Sequence, residues 1–172
     1  MASNQTDNKR QIRFVVFNGI IAALYVVLTY FLAPISYGPI QARVSEIMTV
    51  FPIFSWATIP GLTVGCLISN LINPENLGLV DIIGGTIATL LAGITSYWIG
   101  KKNKWLGIIP PVVFNGVIVG GYLPFLLFDT VTWQTVLFTM LTVAGGEALV
   151  LIVLGLPLVT IIEKTGLKNK LP

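Results

Sequence analysis

The chain of 172 residues is 55% hydrophobic and 10% charged, with a mean hydropathy of +0.87 and a formal net charge of +3. Soluble domains carry about 25% charged residues, so the composition excludes an ordinary soluble protein and points to an all-α, polytopic membrane protein. With no histidine and one cysteine, Cys66, an intrachain disulfide and a Cys/His metal cluster are excluded. No metal, cofactor or nucleic-acid partner is expected.

A helix crossing about 30 Å of hydrocarbon needs about 20 residues. Residues 1–11 are polar and read as a frayed tail, 12–165 as one transmembrane domain, and 166–172 as a second tail. Six spans are predicted, at residues 12–32, 43–57, 60–72, 79–100, 106–127 and 133–162. The first apolar run is too long for a signal segment. The second and third spans are short. Thr58-Ile59-Pro60-Gly61 reads as the turn between them, with Pro60 in the first turn of a helix. One long helix broken at Pro52 or Pro60 is the alternative. Pro110-Pro111 opens the fifth span, and Pro157 predicts a kink in the sixth.

The positive-inside rule orders these spans. With a cytoplasmic N-terminus, Lys9, Arg10, Arg13, Lys101, Lys102, Lys104, Lys164, Lys168 and Lys170 all lie inside, and only Arg43 lies outside. Glu75, Asp81 and Asp129 fall in or beside outer loops. Both termini are therefore expected in the cytoplasm. Trp105 and Trp133 fall at interfaces, as aromatic belts do.

Ionisable groups at membrane depth are costly and mark functional sites by default. Arg43 and Glu46 fall at the outer end of the second span, three residues apart and on one helical face. They serve a ligand, pair with each other, or anchor the helix at the headgroups. Asn70 and Asn73 end the third span there. Asp81 begins the fourth, where a helix dipole alone would accommodate it, and Gln134 begins the sixth. Asn115 and Glu147 lie about 18–21 Å below the outer ends of their helices at 1.5 Å per residue. Asn70 and Asn115 also suit interhelical hydrogen bonding. Glu147, among Gly145, Gly146 and Ala148, is harder to read as purely structural. The inner half carries only mild polar groups such as Asn18, Thr63, Thr95, Ser96 and Thr160. This distribution predicts a cavity open outward and sealed below. In the first span Gly19 and Ala23, with Ala22 adjacent, form a small-residue face for helix contact, inside the bundle or with another subunit. The sequence lacks GxxxxGK[ST], HExxH and GxSxG motifs, so an enzyme is not expected and ATP hydrolysis would need other chains.

The run from Ala33 to Glu46 resembles the QueT family. So do the runs from Ile59 to Leu71 and from Asp81 to Ala92, and the triplet Gly145-Gly146-Glu147. The resemblance covers about residues 10–165, in order. It implies a substrate-binding S component of an energy-coupling factor importer in the bacterial cell membrane, with an S-component-like six-helix bundle and an outward pocket roofed by outer loops. The implied partners are a transmembrane EcfT subunit and two cytoplasmic EcfA-type ATPases. The implied ligand is a queuosine precursor, a 7-deazaguanine such as preQ1, preQ0 or queuine. Glu147 suits the paired donors of a guanine-type edge, with Glu46 or Asp81 as alternatives. Asn115 and Asn70 suit its carbonyl or ring nitrogens. Tyr37, Tyr122 or Trp133 suit stacking on the ring, and Arg43 either orients Glu46 or touches ligand. S components that share a coupling module carry an Ala-x-x-x-Ala face, whose nearest equivalent is Gly19-x-x-x-Ala23. An S component for another vitamin-like molecule, or a stand-alone carrier, is the alternative reading.

Overall fold

The computed structural model describes residues 2–37, 41–73 and 77–172, with side chains from residue 8 onward. Gly38, Pro39, Ile40 and Glu75, which enter the readings above, lie outside the described residues. Every regular element among the described residues is helical. The chain runs through α1 (Ala2–Phe31) and the short α2 (Ala33–Ser36). A 3-10 turn (Val44–Thr49) leads into α3 (Val50–Phe54), and another (Trp56–Thr58) leads into α4 (Ile59–Leu71). Next come α5 (Gly78–Lys102), α6 (Ile109–Phe114), α7 (Gly120–Tyr122) and α8 (Pro124–Leu127). The chain ends with α9 (Trp133–Val150) and α10 (Leu156–Lys164).

Four stretches are long and apolar enough to cross a membrane: Asn8–Phe31, Gly78–Lys102, Lys104–Leu127 and Trp133–Lys164. Val44–Phe54 and Trp56–Leu71 are shorter apolar helices. Side chains such as Val15, Ile20, Leu24, Val27, Leu79, Ile83, Leu141 and Leu149 face outward, as a lipid-facing surface requires. Helix α1 begins well before residue 12. No proline interrupts residues 2–31, so the expected tail continues the helix.

Contacts fix the direction of each segment. Phe17 meets Phe51 while Tyr25 meets Glu46, so the Val44–Phe54 segment runs antiparallel to α1. Asn18 meets Gly61, Tyr25 meets Gly65, and Tyr37 beyond α1 meets Ser69, so α4 runs parallel to α1. Helix α5 returns along α4, with Thr89 against Cys66 and Gly93 against Leu62. Tyr122 meets Asp81, and Gly116 meets Ala144, so direction alternates through α6, α7 and α9 as well.

Close approach between α1 and α4 depends on two glycines. A Cβ at Gly61 would stand 2.6 Å from the Asn18 carbonyl oxygen, and one at Gly65 would stand 2.8 Å from the Tyr25 Cβ. Asn18 locks the seam. Its Nδ2 donates to the carbonyls of Phe14 (2.8 Å) and Ala57 (2.9 Å), and its Oδ1 accepts from the Gly61 N–H (2.6 Å). The break before α4 falls at Ser55, whose backbone is extended, a few residues before the expected turn. Pro60 does sit in the first turn of α4. Two separate segments, not one broken helix, result.

Prolines shape the later helices in two ways. Pro110 and Pro111 occupy the first turn of α6, where a missing N–H costs no intrahelical bond. Ahead of Pro157 the helix widens into a π turn at Leu151–Gly155. A proline ring crowds the preceding turn and removes a donor, so the predicted disturbance appears as local widening. A second π turn spans Asn115–Val119. Gly166, at φ +67°, stops α10, as a left-handed glycine after a helix end does. The following residues fold back, burying Leu171 and placing the Pro172 carbonyl on the Ser55 hydroxyl.

One end of the bundle collects charge. Arg13 reaches the Asn169 carbonyl, and Lys104 pairs with Glu163 at 2.5 Å. Lys101 lies over Tyr97 and Trp98. Of ten basic residues, only Arg43 belongs to the opposite half.

Candidate functional site

Deep in the opposite half, α1, α4, α5, α9, the Val44–Thr49 turn and the Asn115–Val119 turn converge on one polar cluster. Three carboxylates belong to it. Glu46, Asp81 and Glu147 are 0%, 1% and 3% exposed, and Arg43 is 4% exposed. Each arrives for a local reason. Glu46 sits in the first turn of the 3-10 segment, its N–H bonded to the Arg43 carbonyl. Asp81 lies in the first turn of α5, where the helix dipole favours an anion. Asn115 begins the π turn. Glu147 lies beside Gly146, whose missing side chain lets the Gln41 carbonyl rest directly on α9.

Some of these groups are held by the chain itself. Tyr25 donates to Glu46 Oε1 at 2.5 Å, and Thr89 lies against the same carboxyl. Thr29 donates to Ser45 at 2.6 Å. Tyr122 donates to Asp81 Oδ1 at 2.8 Å, and Asn70 Nδ2 reaches the Asp81 carbonyl at 3.4 Å. Thr89 and Asn70 also meet the Cys66 sulfur, at 3.2 and 3.6 Å. Arg43 Nε donates to the Ser36 carbonyl at 3.3 Å, and the guanidinium lies 5.4 Å from the centre of the Tyr37 ring.

Other atoms are left open. Glu147 Oε1, Asp81 Oδ2, Glu46 Oε2 and Asn70 Oδ1 have no hydrogen bond of good geometry, although the Asn115 side chain lies beside Glu147. The same holds for the donors Arg43 Nη2, Gln41 Nε2 and Asn115 Nδ2. Buried polar groups in folded proteins are nearly always bonded. Several open acceptors and donors in one cluster therefore make it the candidate site for a polar ligand. An acceptor-rich surface with a few donors suits a molecule bearing several N–H groups and a carbonyl.

The cluster brings together Arg43, Glu46, Asn70, Asp81, Asn115, Tyr122 and Glu147, with Tyr37 at its edge. It corrects three expectations. Trp133 is 72% exposed at the start of α9, about 21 Å along the helix from Glu147 at 1.5 Å per residue, so it does not stack in this cluster. Arg43 and Glu46 form no ion pair with each other. Arg43 precedes the helical turn in extended conformation, so the two residues do not share a helical face. The groups of the cluster are buried. One face of the Tyr37 ring is occupied by Arg43, and its hydroxyl donates to the Ser69 carbonyl.

Sequence reading missed Tyr25, Gln41, Thr89 and the place of Cys66. A signal existed for Tyr25. Asn18, Tyr25 and Thr29 are spaced by seven and four residues, one polar stripe along an otherwise apolar helix. The small-residue face of α1 is divided. Ala22 packs on Gly65, whereas Gly19 and Ala23 face outward.

A curated relative, "Queuosine precursor transporter QueT" of Lactococcus lactis subsp. cremoris, is 39% identical over 103 residues. That match covers 52% of this chain and 59% of the relative, less than two-thirds of the relative's length. No solved structure matches at a significant level. Residues 15–164, nearly the whole of the apolar bundle, match the QueT transporter family. The chain is therefore a multi-pass membrane protein that belongs to the QueT transporter family.

Proposed function

We propose that the chain is the substrate-binding S component of an energy-coupling factor importer for a queuosine precursor. In this reading six apolar segments cross the bilayer, the two short ones included, and both termini face the cytoplasm. The alternation of direction and the gathering of nine basic residues at one end support that topology. The observation that carries the ligand assignment is the buried set of open polar atoms around Glu147, Asn115 and Arg43. A 7-deazaguanine presents N1–H and an exocyclic amine side by side for the Glu147 carboxylate. Its carbonyl meets Asn115 Nδ2, Gln41 Nε2 or Arg43 Nη2. Tyr122, its hydroxyl fixed by Asp81, supplies the stacking surface. With no phosphate-binding loop in the sequence, energy comes from partners, an EcfT subunit and two EcfA-type ATPases. Gly19 and Ala23, exposed on α1, are the contact face for EcfT.

The test is purification of the chain from the native membrane. A bound 7-deazaguanine identified by mass spectrometry, together with co-purified EcfT and ATPase chains, is the expected result. ATP-independent accumulation of the ligand by the chain alone in liposomes would replace the S-component reading with that of a stand-alone carrier.

A further inference from the structure

We infer that the groove between the start of α1 and the folded-back residues 166–172 binds an anionic glycerophospholipid of the leaflet at the basic end of the bundle, with Arg10 and Arg13 on its phosphate. The groove lies at the far end of the molecule from the polar cluster, so the inference does not rest on the ligand reading above.

The groove exists because the chain turns back on itself. Gly166 stops α10, and the residues after it return to α1, where Arg13 Nη2 donates to the Asn169 carbonyl at 3.5 Å. Ser55 donates to the Pro172 carbonyl, and Leu171 is buried. Between this returning segment and α1 lies a cavity of about 680 Å³, within the range of about 300–1,000 Å³ usual for small-molecule sites. Arg10, Arg13, Phe14 and Val15 line one wall, and Leu171 and Pro172 line the other.

The α1 wall changes character within one turn. Arg10, Arg13 and Phe14 are spaced by three and four residues, so they share a face. From Phe14 to Phe31 the helix carries no charged side chain, and the two arginines stand just before that stretch. Both are exposed, as are Phe14 and Val15, at 38% and 67%. Like charges at this spacing repel. Among the described residues neither arginine forms an ion pair, and the side-chain carboxylate at this end, Glu163, is held by Lys104. An anion between the two guanidiniums relieves their repulsion, and a guanidinium fork matches a phosphate with two parallel hydrogen bonds. The occupant also has to cover Phe14, Val15 and Leu171, which a soluble phosphate cannot do. A phospholipid presents phosphate and then acyl chain along the membrane normal, the order in which α1 presents guanidinium and apolar side chains. Its net charge is negative, because a choline or ethanolamine headgroup would bring a cation beside the arginines. Lys168 and Lys170, on the returning segment, add attraction for an anionic surface.

The experiment is native mass spectrometry of the full chain in detergent, with equal amounts of dioleoyl phosphatidylglycerol and dioleoyl phosphatidylcholine added. The expected result is retention of phosphatidylglycerol with a preference of about tenfold or more. In Arg10→Gln the preference falls to about threefold or less. Arg10 is exposed and in no ion pair among the described residues, so this substitution leaves the fold intact. Lys101→Gln combined with Lys102→Gln, at the same end but outside the groove, keeps most of the preference. Glycerol phosphate at the concentration of the lipid displaces none of it. Equal retention of the two lipids by the wild-type chain overturns the inference. An undiminished preference in Arg10→Gln overturns the choice of groove, and an equal fall in the lysine variant replaces the groove with diffuse surface charge. Displacement by glycerol phosphate overturns the choice of a lipid and leaves a soluble phosphate as the occupant.

Discussion

Asn18 and Asn115 are both buried asparagines on apolar helices, yet they sit in opposite situations. At the α1–α4 seam Asn18 makes three hydrogen bonds to backbone groups. Beside α9, Asn115 keeps an open Nδ2 next to a glutamate with an open Oε1. The first is interhelical glue, saturated by the fold. The second keeps a buried donor that the fold leaves without a partner of good geometry. Both are buried asparagines, so the hydrogen-bond inventory is what distinguishes the structural position from the candidate site.

The seam should give the largest effect on stability. Asn18→Leu strands the Ala57 carbonyl and the Gly61 N–H in apolar surroundings, at about 1–3 kcal/mol for each orphaned group. Added bulk at the contact costs more. A destabilisation of about 3 kcal/mol or more is expected, read as a lower unfolding midpoint in detergent. Asn115→Leu should leave that midpoint within about 0.5 kcal/mol while lowering ligand affinity, since it removes an unsatisfied group. Equal losses of stability in the two variants would erase the distinction between seam and site.

Next comes Glu147→Gln, which preserves size but replaces an acceptor oxygen with a donor. Losing charge-assisted hydrogen bonds costs about 1.5–3 kcal/mol, a fall of roughly 10- to 150-fold in affinity for a 7-deazaguanine. The unfolding midpoint should hold or rise, because a buried carboxylate without a full partner is removed. Calorimetry and thermal unfolding on one preparation separate the two effects. Unchanged affinity would move the ligand anchor away from α9.

Tyr25→Phe probes a residue that joins the two regions, since it touches Gly65 at the seam and Glu46 in the cluster. Losing its hydroxyl removes the donor to Glu46 Oε1, while Oε2 is already open, at about 1–2 kcal/mol of stability. Ligand selectivity should be retained, because Glu46 acts through its position. A loss of affinity larger than the loss of stability would instead put Glu46 in direct contact with ligand.

The sequence made the apolar segments and the charge asymmetry legible, because hydropathy and lysine placement are local properties. It also pointed to Glu147, Asn115, Asp81, Asn70 and Arg43, since polar residues at depth are conspicuous against apolar neighbours. Four things are beyond it. Trp133 is by type one of three candidates for stacking, with Tyr37 and Tyr122, and the length of α9 removes it. Helical spacing joins Arg43 to Glu46, but the helix begins after Arg43, and spacing predicts contact only inside a helix. Tyr25 by itself reads as an apolar side chain, and only its spacing from Asn18 and Thr29 hints at a polar stripe. The break at Ser55, a residue with no strong turn signal, was displaced toward the more conspicuous Pro60-Gly61.

The smallest effect on the isolated chain belongs to the outward face of α1. A Cβ at Gly19 would meet nothing within 4 Å, and Ala23 is exposed. Gly19→Leu adds a branched side chain to a lipid-facing position, so stability and ligand affinity should stay within about 0.5 kcal/mol of wild type, the range for surface changes away from special features. Ala22→Leu is the internal control. Its added atoms would push against Gly65, where the α1 backbone already lies close, and overpacking there should cost about 1–3 kcal/mol. Two positions three residues apart then separate by face. If the outward face is the contact for EcfT, Gly19→Leu should still lose the partner in a pull-down, because a branched side chain holds apart helices that need close approach. Full recovery of the complex with Gly19→Leu would leave this face to lipid alone and send the search for the contact to another surface of the bundle.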